Sequence, residues 1–255
     1  MVFIDTHTHL FLPEFDNDRK QVIENAILHG VDKMLLPNVD CSTVDSLFDV
    51  CRQYPQNCFP MIGLHPTSVK ENYIVDIQNL ESILKREKVI AIGEIGIDLY
   101  WDKAFLKLQQ EAFIYQINLA KKYDLPIVIH ARESFNEIFD IIKLQLDNKL
   151  KGVFHAFTGD IKQAEQIIDW GFKLGIGGIV TFKNSGLDKI VEQIDLNHIV
   201  LETDSPYLPP VPYRGKRNES AYLVKVAEKI AQIKNLLIEE VAEKTSLNAK
   251  TLFNL

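Results

Sequence analysis

The chain has 255 residues, 46% hydrophobic and 25% charged, with 12 glycines and 10 prolines; this balance excludes a disordered or fibrous protein and allows a sizeable core. Its formal net charge of −7 excludes a protein that holds nucleic acid through a broad basic surface, because such binding rests on neutralising many phosphates. No apolar run approaches the ~20 residues of a membrane-spanning helix, and Met1 to Asp5 lacks the basic flank and long apolar stretch of a signal peptide, so a cytoplasmic protein is the expectation.

From the N-terminus onward, short runs rich in Val, Ile and Phe alternate with longer amphipathic stretches, the pattern of repeated βα units and a parallel sheet. Strands are predicted at Val2–Thr6, Lys33–Leu36, Phe59–Leu64, Ile90–Ile95, Ile127–His130, Gly152–His155, Phe172–Ile176 and Ile199–Thr203. Eight such units in ~250 residues predict an α/β fold, a single (β/α)8 TIM-like barrel over residues 1–255, with a doubly wound open sheet as the alternative. Asp16 or Asn17 is placed to cap the first crossover helix and Gly30 to stop it. Phe105, Leu108, Ala112, Tyr115 and Leu119 recur at spacings of three and four and predict a helix with one face on the barrel. Beyond Asp204 a proline-rich loop leads to helices near Ala221–Ile233 and Ile238–Lys244, with a short one at the end. Cys41, Cys51 and Cys58 form no CxxC pair, so neither a disulfide framework nor a zinc–thiolate site is indicated.

The histidines carry the functional signal. Five of the seven, His7, His9, His65, His130 and His155, fall at or just past the C-terminal end of a predicted strand, and in a parallel barrel those ends share the face on which active sites are built. His7 and His9, two apart on an extended segment, point to the same side about 6–7 Å apart along it. An HxH pair alone is more often a solvated strand end than a site. However, Glu94 and Asp204 place carboxylates at two further strand ends, and ionisable groups buried there are costly unless paired or coordinated. Six such groups suffice for two divalent ions: His7, His9 and Asp204 on one, His130 and His155 on the other, and Glu94 between them. Ions ~3.5–4 Å apart can activate a water and neutralise a phosphoryl oxygen. Mixed histidine and carboxylate ligands leave Mg²⁺, Mn²⁺ and Zn²⁺ all open.

Asp204 is also the candidate general base. His65 is left over from coordination; it can contact the scissile phosphate or protonate the leaving oxygen, or it can orient a ligand. Arg132 can grip a phosphate or pair with Glu133. Arg214, Lys216 and Arg217 form the one dense basic cluster near a site loop, an anchor for a nucleic-acid backbone or a solvated charge run. Tyr207, Tyr100 and Trp101 can stack on bases or pack at the rim. Glu202 can orient a histidine or pair with a basic neighbour; His29 and His198 lie away from the site and receive no role.

The segments Asp5-Thr6-His7-Thr8-His9-Leu10, Gly63-Leu64-His65-Pro66, Gly93-Glu94-Ile95-Gly96-Ile97-Asp98, Ile129-His130-Ala131-Arg132-Glu133, Phe154-His155-Ala156-Phe157-Thr158-Gly159 and Leu201-Glu202-Thr203-Asp204-Ser205-Pro206-Tyr207-Leu208, with Pro212 to Glu219 after them, span nearly the whole chain. In order and content they resemble the successive signatures of the TatD metal-dependent deoxyribonucleases, within the amidohydrolase-like superfamily. The resemblance implies a TIM-like barrel, a dinuclear centre at His7, His9, Glu94, His130, His155 and Asp204, and hydrolysis of DNA, often from a 3′ end. Ala156, where many relatives have Cys, and Ser220, where Pro is common, depart from the family pattern without touching a proposed ligand. The rival readings are a metal-dependent amide or ester hydrolase and a barrel that has lost catalysis. The basic residues favour a phosphate substrate over the former, and the complete ligand set speaks against the latter.

Overall fold

A computed structural model of the chain describes all 255 residues. Eight parallel strands alternate with helices: β1 Phe3–Asp5, β2 Val31–Pro37, β3 Cys58–Met61, β4 Ile92–Asp98, β5 Ile127–Arg132, β6 Gly152–Phe154, β7 Lys173–Ile176 and β8 Ile199–Leu201. They form a three-stranded sheet, β1-β2-β3, and a five-stranded sheet, β4 to β8 in order. The sheets meet at two seams. At one, Ile62 bridges Ile92 and Gly93 N–H donates to Ile62 O at 3.0 Å. At the other, Thr8 bridges Ser205 and Asp204 N–H donates to His7 O at 2.9 Å. Sequential neighbours with helical crossovers give the TIM-like α/β arrangement expected from the alternation of runs. No helix is long and apolar enough to cross a membrane.

The helices are α1 Arg19–Leu28, α2 Val44–Gln53, α3 Tyr73–Leu84, α4 Leu106–Tyr123, α5 Phe135–Gln145, α6 Ile161–Asp169, α7 Leu187–Gln193, α8 Leu223–Lys234 and α9 Ile238–Phe253. Three expectations are corrected. The residue before α1 is Asp18, not Asp16 or Asn17, and it makes no side-chain cap bond; its carboxylate is taken by Arg217, at 2.9 and 2.7 Å. Gly30, at φ 88°, does follow the end of that helix. The two terminal helices predicted after Leu237 are one continuous α9, because Ser246 and Asn248 are satisfied within the fold: Ser246 donates to Val2 O and Asn248 to Leu196 O and Ile199 O. On α4 the buried face includes Gln109 and Gln116 beside Ala112, Phe113, Ile117 and Ala120, whereas Leu108 and Tyr115 are only half-buried.

Those two glutamines lie seven residues apart, two helical turns, and so share a face. Gln116 accepts from Leu64 N–H at 2.7 Å and donates to Leu64 O at 3.2 Å; Gln109 does the same for Asp98, at 2.8 and 3.2 Å. Each replaces a strand neighbour for main chain that has left the ladder, next to His65 in one case and at the last residue of β4 in the other. The oxygen and the nitrogen of each buried amide are thereby both partnered, which is what keeps them tolerable in the core.

Candidate metal centre

Several strands end earlier than their apolar runs predict, at Asp5, Met61, Phe154 and Leu201. The chain beyond them alternates main-chain bonds, such as Thr6 N–H to Leu201 O and His155 N–H to Ile129 O at 3.0 Å each, with bonds to side chains. Asp5, fully buried, accepts from Thr203 N–H at 2.9 Å and Thr203 Oγ1 at 2.6 Å, which pins the segment after β8 against the segment after β1. β4 and β5, by contrast, continue to Asp98 and Arg132, with Gly96 opposite His130. Gly96 has φ 144° and a Cβ there would run into the His130 carbonyl, so this approach of two strands requires glycine.

These devices bring His7, His9, His65, Glu94, His130, His155 and Asp204 into one cluster. Glu94 is its centre, with its side chain 3% exposed. Its Oε2 lies 3.1 Å from His7 Nε2 and 3.8 Å from His9 Nε2. Its Oε1 lies 2.7 Å from His130 Nδ1, 3.4 Å from His155 Nε2 and 3.5 Å from His65 Nε2. Asp204 Oδ1 closes the first side, 3.8 Å from His7 and 3.5 Å from His9. Ligand atoms converge in three sets: His7, His9 and Glu94; His7, His155 and Asp204; His65, Glu94 and His130. His155 thus stands nearer His7, their rings stacked at 3.5 Å, than His130, whose ring is 6.1 Å away. His65 stands beside His130, its Nε2 3.4 Å from His130 Nδ1.

The donor set fits a divalent cation. His7 Nε2 and His9 Nε2 face each other at 3.2 Å; two nitrogens held tetrahedrally at about 2.0–2.1 Å from a zinc-sized ion stand about 3.3 Å apart. Their Nδ1 atoms are buried without partners, so no second hydrogen bond explains the ring orientations. Electrostatics agree. Burial works against the Glu94 carboxylate, yet His155, His7 and His65 hold it well below the usual range. Burial likewise opposes charge on His155, and Glu202 with Glu94 overrides it, pushing the imidazole up to about 10. Burial and the neighbouring His155 lower His7. The carboxylates Glu202, Glu94 and Asp204 therefore favour positive charge here, whether as a proton on His155 or as a cation in its place.

The surrounding groups have separable tasks. Glu202 accepts from Ala156 N–H at 2.6 Å and sits 3.1 Å from His155 Nδ1; a Cβ on Gly175 would collide with its other oxygen. His65 Nδ1 receives Thr67 N–H at 3.2 Å, which leaves the proton of the neutral ring on Nε2, facing the cluster. A cavity of about 620 Å³ opens over the centre, lined by Trp101, Arg132, Tyr207 and Leu208 among others. Arg132 stacks on Tyr100 at 3.7 Å, with Trp101 at 5.6 Å; it does not pair with Glu133. Arg214 and Lys216 are exposed and do not line this cavity; Arg214 stacks on Phe182 at 3.8 Å. Arg217 is spent on structure, bound to Asp18 and Glu219. His29 bonds Asn25 O at the end of α1, and His198 precedes β8, at the opposite end of that strand from Asp204.

The sequence model of the family described as TatD related DNase matches residues 4–254. The chain belongs to the TatD family. Among its relatives, the metal-dependent hydrolase YabD of Bacillus subtilis is 37% identical over 255 residues, covering 100% of both chains. The crystal structure of the TatD homologue YjjV from Escherichia coli superposes with a TM-score of 0.93 at 30% identity, covering 99% of this chain and 98% of that one. A TatD-family hydrolase from Entamoeba histolytica superposes with a TM-score of 0.86 at 23% identity, covering 99% and 98%. As a TatD-family protein this chain is a metal-dependent hydrolase.

Sequence reasoning passed over Asp5, Asp98, Gln109 and Gln116, all buried polar residues that hold the TatD-family signatures in place. The seven-residue glutamine spacing within an otherwise apolar helix face was the available signal for two of them.

Proposed function

We propose that this protein is a metal-dependent deoxyribonuclease that removes nucleotides from 3′ ends, with two divalent ions held by His7, His9, Glu94, His130, His155 and Asp204. The observation that carries it is the division of Glu94, one oxygen toward His7 and His9 and the other toward His130, His155 and His65. A bridging carboxylate of this kind suits two ions. When bound, they supply an activated water and neutralise charge growing on the phosphoryl oxygens.

The remaining work belongs to the chain. Asp204 has the most exposed carboxylate of the cluster, 15% against 3% for Glu94, so it is the one able to take the proton of an attacking water. His65, with its Nε2 proton directed inward, donates to the leaving oxygen. Arg132 holds a non-reacting phosphate oxygen from the cavity wall, where its planar fork is already oriented by Tyr100. Tyr207 and Trp101 offer faces for unstacked bases. The volume of the cavity suits an unpaired strand end rather than a duplex, and this favours single-stranded DNA or frayed 3′ termini as substrate.

The test is digestion of 3′-labelled single- and double-stranded DNA by chelator-stripped protein, then with Mg²⁺, Mn²⁺ or Zn²⁺ restored, beside Asp204→Asn. Stepwise 3′ loss that requires metal and falls by ~10²–10⁴ in the variant is expected. Intact DNA with every metal, alongside turnover of an amide or ester, would sink the nuclease reading.

A further inference from the structure

We propose that Asp98 is a positioning residue: it decides which nitrogen of His130 faces the metal centre, and with its other oxygen ties that histidine to the rim turn bearing Tyr100 and Trp101. The inference rests on the reading of His130 as a metal ligand.

Asp98 is the last residue of β4 and only 2% exposed. Its Oδ2 lies 2.9 Å from His130 Nε2. Its Oδ1 accepts from Tyr100 N–H at 3.0 Å and Trp101 N–H at 3.4 Å. Its main chain is clamped by Gln109 on both sides of the peptide, so the carboxylate has little freedom to turn. An ionised carboxylate only accepts hydrogen bonds, so Nε2 donates to Asp98 and keeps its proton; Nδ1, which faces a second carboxylate, is the nitrogen whose proton a bound cation would replace. That nitrogen faces Glu94 Oε1 at 2.7 Å and His65 Nε2 at 3.4 Å. His130 therefore offers Nδ1 to a cation, and Asp98 is what fixes this choice. A carboxylate behind a ligating histidine also makes the ring more basic.

The second oxygen extends the effect outward. The turn it organises places the Tyr100 ring under the Arg132 guanidinium, and Arg132 is itself the β5 residue in register with Asp98. One buried side chain thus sets both a ligand at the centre and the posture of the cation on the cavity wall.

Asp98→Asn separates the two tasks. Its carbonyl oxygen can still accept from the Tyr100 and Trp101 amides, while its NH₂ can only donate toward Nε2, which forces the His130 proton onto Nδ1. Asp98→Ala removes both. The measurements are Mn²⁺ and Zn²⁺ affinity of the full chain by competition with a chromophoric chelator, and the fluorescence of Trp101 in a Trp170→Phe background. Asp98→Asn is expected to weaken metal binding roughly 10–100-fold with Trp101 emission unchanged; Asp98→Ala is expected to weaken binding and shift the emission. Nitrogen NMR of the Zn²⁺-loaded protein should find the His130 proton on Nε2 in wild type. Metal affinity of Asp98→Asn within about twofold of wild type, with an unchanged melting temperature, overturns the proposal. So does a shift of Trp101 emission without loss of metal affinity. Should Asp98→Ala not fold, Asp98→Asn alone decides. None of these readouts uses DNA, so failure of the nuclease reading and failure of this one are distinguishable.

Discussion

The two ends of the strand assembly are built from opposite materials. At the N-terminal end Ile4, Leu35, Met61, Ala91, Val128, Val153 and Val200 pack together and are covered by Ala249, Leu252 and Phe253 of α9. Two residues further along the same strands, Val128 gives way to His130, Val153 to His155 and Val200 to Glu202. Side chains two apart in extended chain share a face, so a single inward row changes from aliphatic to ionisable within one step. Apolar burial stabilises the first end. The second buries charge that costs stability until a cation compensates it. The comparison teaches that stability and chemistry are separated along the strand axis rather than between layers.

The separation can be broken from either side. Phe253 is 2% exposed and its replacement in Phe253→Ala leaves a cavity in the apolar end, expected to cost about 3–5 kcal/mol. For a chain of this size that lowers the melting temperature by roughly 6–20 °C. Below that temperature, metal affinity and turnover per folded molecule should match wild type; a parallel loss of metal affinity would mean that the two ends are coupled.

The second test acts on the other end. Metal-stripped protein should gain stability on addition of Mn²⁺ or Zn²⁺, about 2.7 kcal/mol when the free ion stands at a hundred times its dissociation constant. The increment should be the same in Phe253→Ala, because distant sites add. Differential scanning calorimetry across an ion titration reads both. A metal that leaves the melting temperature unmoved would contradict the compensating role given to it here.

Much of this arrangement was legible in the sequence, and the reasons for its gaps are physical. All eight strands were readable because strands buried on both faces are continuous apolar runs, and the clustering of histidines and carboxylates past their ends followed from parallel topology. Strand ends were less readable. Thr203 extends an apolar run in the sequence, yet its N–H is taken by the Asp5 carboxylate rather than by a neighbouring strand, and after His155 the strand gives way to a turn at Ala156, which has φ 44°. The grouping of His65 beside His130 could not be read from spacing, since it depends on how far each loop leans over the centre, and Gln116 sets that for the His65 segment. The basic run at Arg214 to Arg217 was the most ambiguous: adjacent residues of like charge point in different directions, and only the fold assigns Arg217 to Asp18.

That assignment gives the smallest predicted effect and the finest division within the chemical end. Arg217 donates to Asp18 at 2.9 and 2.7 Å, to Glu219 at 3.1 Å and to Glu14 O at 2.7 Å, so it fastens the loop after β8 to the start of α1. The pair is partly solvent-exposed, and screening limits its worth to roughly 0.5–1 kcal/mol; Arg217→Met should lower the melting temperature by a few degrees at most. The hydrogen bonds from Arg217 hold the Asp18 carboxyl below the usual range. A depressed folded-state value means the contribution is complete above the ordinary carboxylate pKa of about 4 and disappears as pH falls through the folded value. Wild type and Arg217→Met should therefore differ in stability at neutral pH and converge in acid. The salt dependence of DNA binding should be the same in both, since a guanidinium already committed to Asp18 releases no counterion from a phosphate. A shallower salt dependence in Arg217→Met would return this residue to the substrate path and move the boundary between structure and chemistry outward to the rim.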